Sequence, residues 1–186
     1  MSRFIVEELM PRGPVRVTRR EIGDARGSFT RLFCQEELGD AGWSGTVAQA
    51  NLSVTAQRGT VRGMHFQHPP HAETKLVICL AGAIWDVAVD VRAGSATRLG
   101  HVAAELSADN SAALLIPPGF AHGFQTLTDD VQLLYFHSAA HAPGAEDGVD
   151  PFDPALDLTW PLPPTVVSER DCGWAPITPA FQGVAP

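Results

Sequence analysis

From about Thr46 to Ser138, apolar and polar residues alternate with the two-residue period of β-strands, broken by Gly, Asn, Asp and Pro. The clearest case is KLVICLAGAIWDVAVDVR, residues 75–92, which reads as two runs joined near Ala81 to Ala83. In the second run Trp85, Val87, Val89 and Val91 share one side, and Asp86, Ala88, Asp90 and Arg92 share the other. One face is therefore apolar and the other carries charge. Further strands are predicted in TVAQANLSV, GTVRGMHF, LGHVAAEL, AALLIP and VQLLYFHS, while CQEEL beside Cys34 and a few C-terminal segments are the only candidates for short helices. Short strands separated by turn signals describe an all-β sandwich, jelly roll or small barrel.

The ends differ from the middle. Residues 1–20 can supply a strand that pairs within the sheet or with a second subunit. The Pro-rich stretch from about Ala142 to Pro164 is expected to run as ordered loop and turns, and the Pro- and Gly-rich tail after Trp174 is expected to be mobile. A length of 186 residues suits one domain with a full core, read as residues 1–175 followed by a tail at 176–186.

Composition narrows the class. A net charge of −8 opposes a nucleic-acid partner, so any anion must bind at a local basic pocket. No apolar run approaches the eighteen or more residues of a membrane span, and the N-terminus lacks a signal-peptide pattern, which together predict a cytoplasmic protein with no membrane partner. Cys34, Cys79 and Cys172 are far apart and odd in number, as expected of idle thiols in a reducing compartment. Every basic residue except Lys75 is arginine, and Tyr135 is the only tyrosine. A lone lysine fits a task for a compact ammonium that a guanidinium does not perform.

Histidines concentrate in VRGMHFQHPPHAETK, residues 61–75. His65, His68, His71 and Glu73 could together hold a metal, and IPPGFAHGF places His122 in a P-x-G-x-x-H pattern that resembles the second motif of the cupin superfamily. The first cupin motif fits badly. There is no H-x-H pair, and Pro69 and Pro70 stand between His68 and His71. The expectation is a site without metal or other cofactor.

A wider set of segments fits a different reading. DARGSF (24–29), QANLSV (49–54), RGTVRGMHFQ (58–67), residues 75–92, IPPGFAHGF (116–124), LLYFHS (133–138), DPALDLTWP (153–161) and SERD (168–171) occur in a telling order. Their order and spacing resemble those of the dTDP-4-dehydrorhamnose 3,5-epimerase family over about residues 15–175. The resemblance implies a cupin-like jelly roll with short peripheral helices, a homodimer exchanging N-terminal strands, and metal-independent epimerisation beside the ketone of a nucleotide-diphosphate 4-keto-6-deoxy sugar.

Such a reaction needs a base, an acid across the sugar ring, and a cation at the carbonyl oxygen to stabilise the enolate. By resemblance His65 is the base, Asp171 its carboxylate partner, Tyr135 the acid and Lys75 the cation. Arg26, Gln49, Asn51, Arg62, His122, Glu146 and Arg170 stand where the family lines the sugar and diphosphate, and Phe29 matches an aromatic that reaches the base from the partner subunit. Arg62 and His65 differ by three and would face opposite ways on an unbroken strand, but Gly63 permits a bulge.

Three positions depart from the family pattern. Arg31 stands in place of a glutamate that accepts from thymine, a change that suits another base such as cytosine, as in a CDP-sugar. Glu73 replaces a glutamine and His141 a tyrosine, which leaves the sugar and the number of inverted centres open. Alternatives are a monofunctional 3- or 5-epimerase or ketoisomerase, a metal-dependent cupin enzyme, and a non-catalytic sugar-binding module.

Overall fold

Alternating side chains need an antiparallel partner strand and a second layer to cover their apolar face, and the chain supplies both. The computed structural model describes residues 2–185; Met1 and Pro186 at the two ends fall outside it. In chain order the strands are β1 (Phe4–Glu8), β2 (Val15–Arg19), β3 (Glu21–Asp24), β4 (Gly27–Thr30), β5 (Gln49–Thr55), β6 (Val61–Gln67) and β7 (Lys75–Ala81). They continue with β8 (Ala83–Asp90), β9 (His101–Ser107), β10 (Ala112–Ile116), β11 (Phe120–Thr126), β12 (Val131–His137) and β13 (Glu146–Gly148). The one short α-helix among the described residues, α1 (Gln35–Gly39), lies at the predicted CQEEL, and 3-10 turns occupy Pro154–Leu156 and Asp171–Gly173.

Two antiparallel sheets form a cupin-like jelly roll. One has the order β1-β2-β10-β7-β12-β5, the other β13-β6-β11-β8-β9, and β3 and β4 form a separate hairpin. Between the sheets lie Val77, Cys79, Ile84, Ala88, Leu106, Leu114, Ile116, Phe120, Phe124 and Leu133. The outer face of the six-stranded sheet is covered by Leu38 and Trp43, which pack with Leu76, Ile78, Ala113 and Leu115. Central strands are thus buried on both faces, which explains the nearly continuous apolar run of β7.

The predicted faces of β8 are correct, but neither meets solvent. Val87 and Val89 form the outer face with Val91, while Asp86 and Asp90 are fully buried. Asp90 is held by Arg92 Nη2 at 2.7 Å, Ser95 Oγ at 2.5 Å and Thr97 Oγ1 at 2.6 Å.

One expectation is corrected. The tail is not loose as far as it is described: Ile177, Phe181 and Val184 pack against the outer face of the five-stranded sheet, and Val184 bridges to Arg92. Its proline and glycine content signalled irregular backbone, while its spaced apolar residues supply the contacts that hold it. The segment 1–20, expected to supply a strand that pairs within the sheet or with a second subunit, forms β1 and β2, and β2 pairs with β10 of the same chain. No helix among the described residues is long and apolar enough to cross a membrane.

Candidate active site

Both sheets contribute to a cavity of about 410 Å³. From the six-stranded sheet β5 offers Gln49 and Asn51, β7 offers Lys75, and β12 offers Tyr135 and His137, each set at the two-residue spacing that places side chains on one face. From the other sheet come Arg62, His65 and His122, with Glu146 of β13 and His141 at the rim.

Arg62 and His65 reach the same cavity through an irregularity in β6. The register runs His122 to His65 and Phe124 to Arg62, two steps on β11 against three on β6, so β6 carries one extra residue. Gly63 and Gly123 make this possible. A Cβ on Gly63, whose φ is 124°, would lie 2.5 Å from the Gly123 Cα and 2.8 Å from the His122 carbonyl oxygen.

The bulge also builds the His65 site. Asp171, 4% exposed at the start of its 3-10 turn, accepts from His65 Nε2 at 2.8 Å through one oxygen and from the Gly63 N–H at 3.1 Å through the other. Burial alone would raise the Asp171 carboxyl. The His65 bond, the Gly63 N–H and Ser168 outweigh it and hold the group below its ordinary range. With Nε2 committed to Asp171, Nδ1 is the nitrogen of His65 left to exchange a proton. Trp174 sits edge-on to the His65 ring, with centroids 6.5 Å apart.

Across the cavity, Tyr135 packs against the inter-sheet core, its ring edge-on to His122 at 6.0 Å. Burial pushes its phenol up, and the Asp86 charge adds to this while Arg62 opposes it. His122 Nε2 lies 2.7 Å from Asp86 Oδ1. Burial raises the Asp86 carboxyl despite that histidine, and its Oδ2 has no partner among the described residues. Lys75 Nζ sits 3.2 Å from Glu73 Oε1 and 3.5 Å from the His65 carbonyl oxygen.

The remaining predicted residues divide. Arg62 is exposed and has no ion-pair partner among the described residues, so its guanidinium is available to an anion. Arg170 stands at the rim, 2.8 Å from Glu146 Oε2 and over the Trp174 ring. Arg26, Phe29 and Arg31 do not line this chain's cavity. Arg26 pairs with Asp24 inside the β3–β4 hairpin, Phe29 is 67% exposed on the same hairpin, and Arg31 is engaged by Glu37. That pair uses Nη1 alone, so the other N–H groups of Arg31 remain donors.

The histidines named as possible metal ligands do not converge: His122 bonds Asp86. His65 bonds Asp171, His68 bonds Asp147, and among the described residues no group of three or more His, Cys, Asp or Glu is gathered as ligands. Sequence reasoning did not single out His137 or Asp86 as site residues. His137 could have been found from strand parity, since it stands two residues after Tyr135; Asp86 sits on the charged face of β8, but no motif marked it.

Comparison with known proteins agrees with this geometry. Residues 10–178 match the family model for dTDP-4-dehydrorhamnose 3,5-epimerase. A Sinorhizobium fredii dTDP-4-dehydrorhamnose 3,5-epimerase is 45% identical over 82% of this chain and 78% of its own length. A dTDP-4-dehydrorhamnose 3-epimerase of Streptomyces niveus is 37% identical over 83% and 75%. Among solved structures, a 4-keto-6-deoxy sugar epimerase from the novobiocin cluster of Streptomyces spheroides superposes with a TM-score of 0.85 at 36% identity, covering 91% of this chain and 85% of that one. The dTDP-6-deoxy-D-glucose-3,5-epimerase of Legionella pneumophila, in complex with dTDP-4-keto-L-rhamnose, gives 0.86 at 32% identity, covering 92% and 91%. With the matched family model covering every strand except β1 and every cavity residue described above, the chain belongs to the dTDP-4-dehydrorhamnose 3,5-epimerase family.

Proposed function

We propose that the protein epimerises a nucleotide-diphosphate 4-keto-6-deoxy hexose at C3, C5 or both, without a metal, through an enolate. The observation that carries this reading is the opposition of the His65–Asp171 couple to Tyr135 within one cavity that also contains Lys75. His65 takes the proton alpha to the ketone on Nδ1, and the imidazolium that forms is stabilised by the buried Asp171 carboxylate at 2.8 Å. The electron pair moves onto the keto oxygen, where the Lys75 ammonium offsets the charge. Tyr135 returns a proton to the opposite face of the carbon and inverts it. Its raised phenol keeps the proton in the resting site and gives it up only to a strongly basic carbanion. Arg62 takes a diphosphate oxygen, and Gln49, Asn51, His122 and Glu146 hold the sugar, with Arg170 at the rim.

The same reading makes the protein a homodimer in which the β3–β4 hairpin carries Arg26 and Phe29 to the partner's cavity. Ile22 and Phe29, 46% and 67% exposed, form an apolar face on the hairpin that a second subunit would cover. Three free thiols fit a cytoplasmic setting.

Inversion at C3 alone is a second reading, favoured by the 3-epimerases among the relatives. Incubation with dTDP-4-keto-6-deoxy-D-glucose in D2O, followed by NMR of the product, tests both. Deuterium at C3 and C5 indicates double inversion, and deuterium at C3 only indicates the monofunctional enzyme. Deuterium at neither, with a CDP-linked sugar turned over instead, would move the nucleotide assignment.

A further inference from the structure

Besides His65–Asp171 and His122–Asp86, the cavity holds a further histidine–carboxylate couple, to which the mechanism above assigns no task. Glu73 is 9% exposed and His137 is half-buried; Glu73 Oε2 accepts from His137 Nδ1 at 2.9 Å, and its Oε1 contacts Lys75 Nζ at 3.2 Å. The placement follows from the strands. Glu73 and Lys75 are two apart on an extended segment and share a face, while His137 is directly opposite Lys75 in the β12–β7 register. One carboxylate therefore lies between an ammonium and an imidazole. Burial works against its charge, but the His137 bond and the Lys75 charge outweigh this and hold Glu73 below its ordinary range.

The geometry points to Glu73 and His137 as a positioning couple for Lys75. A lysine side chain has four rotatable bonds and by itself does not hold its charge at one point, so an enolate countercharge needs a fixed anchor. Glu73 is that anchor, and His137 fixes Glu73. His137 is fixed in turn: its ring stacks on Tyr135 with centroids 5.9 Å apart and planes 20° apart, and its Nε2 lies 3.4 Å from Asn51 Nδ2. Asn51 accepts from Gln49 Nε2 at 3.1 Å, which continues the network along the cavity wall.

The inference rests on the reading of Lys75 as the enolate's countercharge, and a double-mutant cycle separates the two. Steady-state kinetics on dTDP-4-keto-6-deoxy-D-glucose would compare wild type, Glu73→Ala, Lys75→Ala and the double variant, with thermal unfolding to confirm folding. Glu73→Ala is expected to lower kcat about tenfold or more with KM changed by less than about threefold, and to cause no further loss when Lys75 is already alanine. If Glu73→Ala does not fold, Glu73→Gln replaces it. The amide keeps one acceptor oxygen, so a smaller kcat loss is expected, again vanishing without Lys75. His137→Asn, which keeps a donor toward Glu73, should retain more activity than His137→Leu. Wild-type kcat in Glu73→Ala, or an equal loss with and without Lys75, would overturn the positioning role while leaving Lys75 in place. Wild-type kcat in Lys75→Ala would overturn the countercharge reading and this inference with it.

Discussion

Replacing Asp171 by asparagine changes one charge and almost no volume, and the structure says what that should cost. The side-chain oxygen of asparagine can still accept from the Gly63 N–H, so the β6 bulge is expected to survive. Its NH2 then faces His65 Nε2, where the wild-type carboxylate accepts at 2.8 Å. Two effects follow. A charge-assisted hydrogen bond to the imidazolium is lost, worth about 1.5–3 kcal/mol, or roughly 10- to 150-fold in rate at about 1.4 kcal/mol per tenfold. The asparagine also favours the tautomer with its proton on Nδ1, which blocks the nitrogen that should act as base. Together they should reduce kcat by roughly 10²- to 10⁴-fold, within the range that such a swap causes in other His–Asp couples. The assay is steady-state turnover alongside solvent-deuterium exchange, with thermal unfolding as the control for folding. A kcat within about threefold of wild type would show that Asp171 does not support His65 as a base.

Other perturbations test neighbouring steps. Tyr135→Phe should impair inversion more than initial proton removal, so washout of a deuterium label from the substrate should persist while epimerised product falls by roughly 10²- to 10⁴-fold; full epimerase activity would remove Tyr135 as the acid. Gly63→Ala sets a Cβ against backbone atoms that cannot move aside, and should destabilise the fold by about 2–3 kcal/mol, a drop in Tm of roughly 5–10 °C, measured by calorimetry. Asp90 is held near a pKa of about 2, against an ordinary 3.8: burial alone would raise it, but bonds from Arg92, Ser95 and Thr97 outweigh that. A depressed carboxyl stabilises the fold above its unfolded pKa and loses that contribution as pH falls through the folded one. Asp90→Asn should therefore cost about 1–2 kcal/mol at pH 7 in denaturant melts, a cost that shrinks between about pH 4 and 2.

Much of this was legible in the sequence, for reasons that particular residues explain. The alternation in β7 and β8 named both strands and sorted Val87 and Val89 from Asp86 and Asp90. It could not say that the charged face was the interior, because burial on both sides comes from covering segments distant in sequence. β11 escaped the period because all seven of its residues are buried, and FAHGFQT shows no polar face to mark it. The β3–β4 hairpin escaped for the opposite reason, being almost wholly exposed. Gly63 correctly signalled the bulge that unites Arg62 and His65. His137 was given no role although its two-residue spacing from Tyr135 places it on the same face; only its position opposite Lys75 depends on the β12–β7 register, which the sequence does not print. The resemblance brought together the four proposed catalytic residues, yet Arg26, Phe29 and Arg31 lie outside the cavity of their own chain. In the proposed homodimer, Arg26 and Phe29 would instead reach the partner's cavity.

The central claim is that His65 removes a proton alpha to the ketone of a nucleotide-linked sugar. It is tested most directly by following deuterium incorporation from D2O into dTDP-4-keto-6-deoxy-D-glucose with wild-type protein and with His65→Ala under identical conditions. The account predicts label at C3, C5 or both with the wild type, and no incorporation above the uncatalysed rate with His65→Ala that folds normally. Equal incorporation by the two proteins would contradict it.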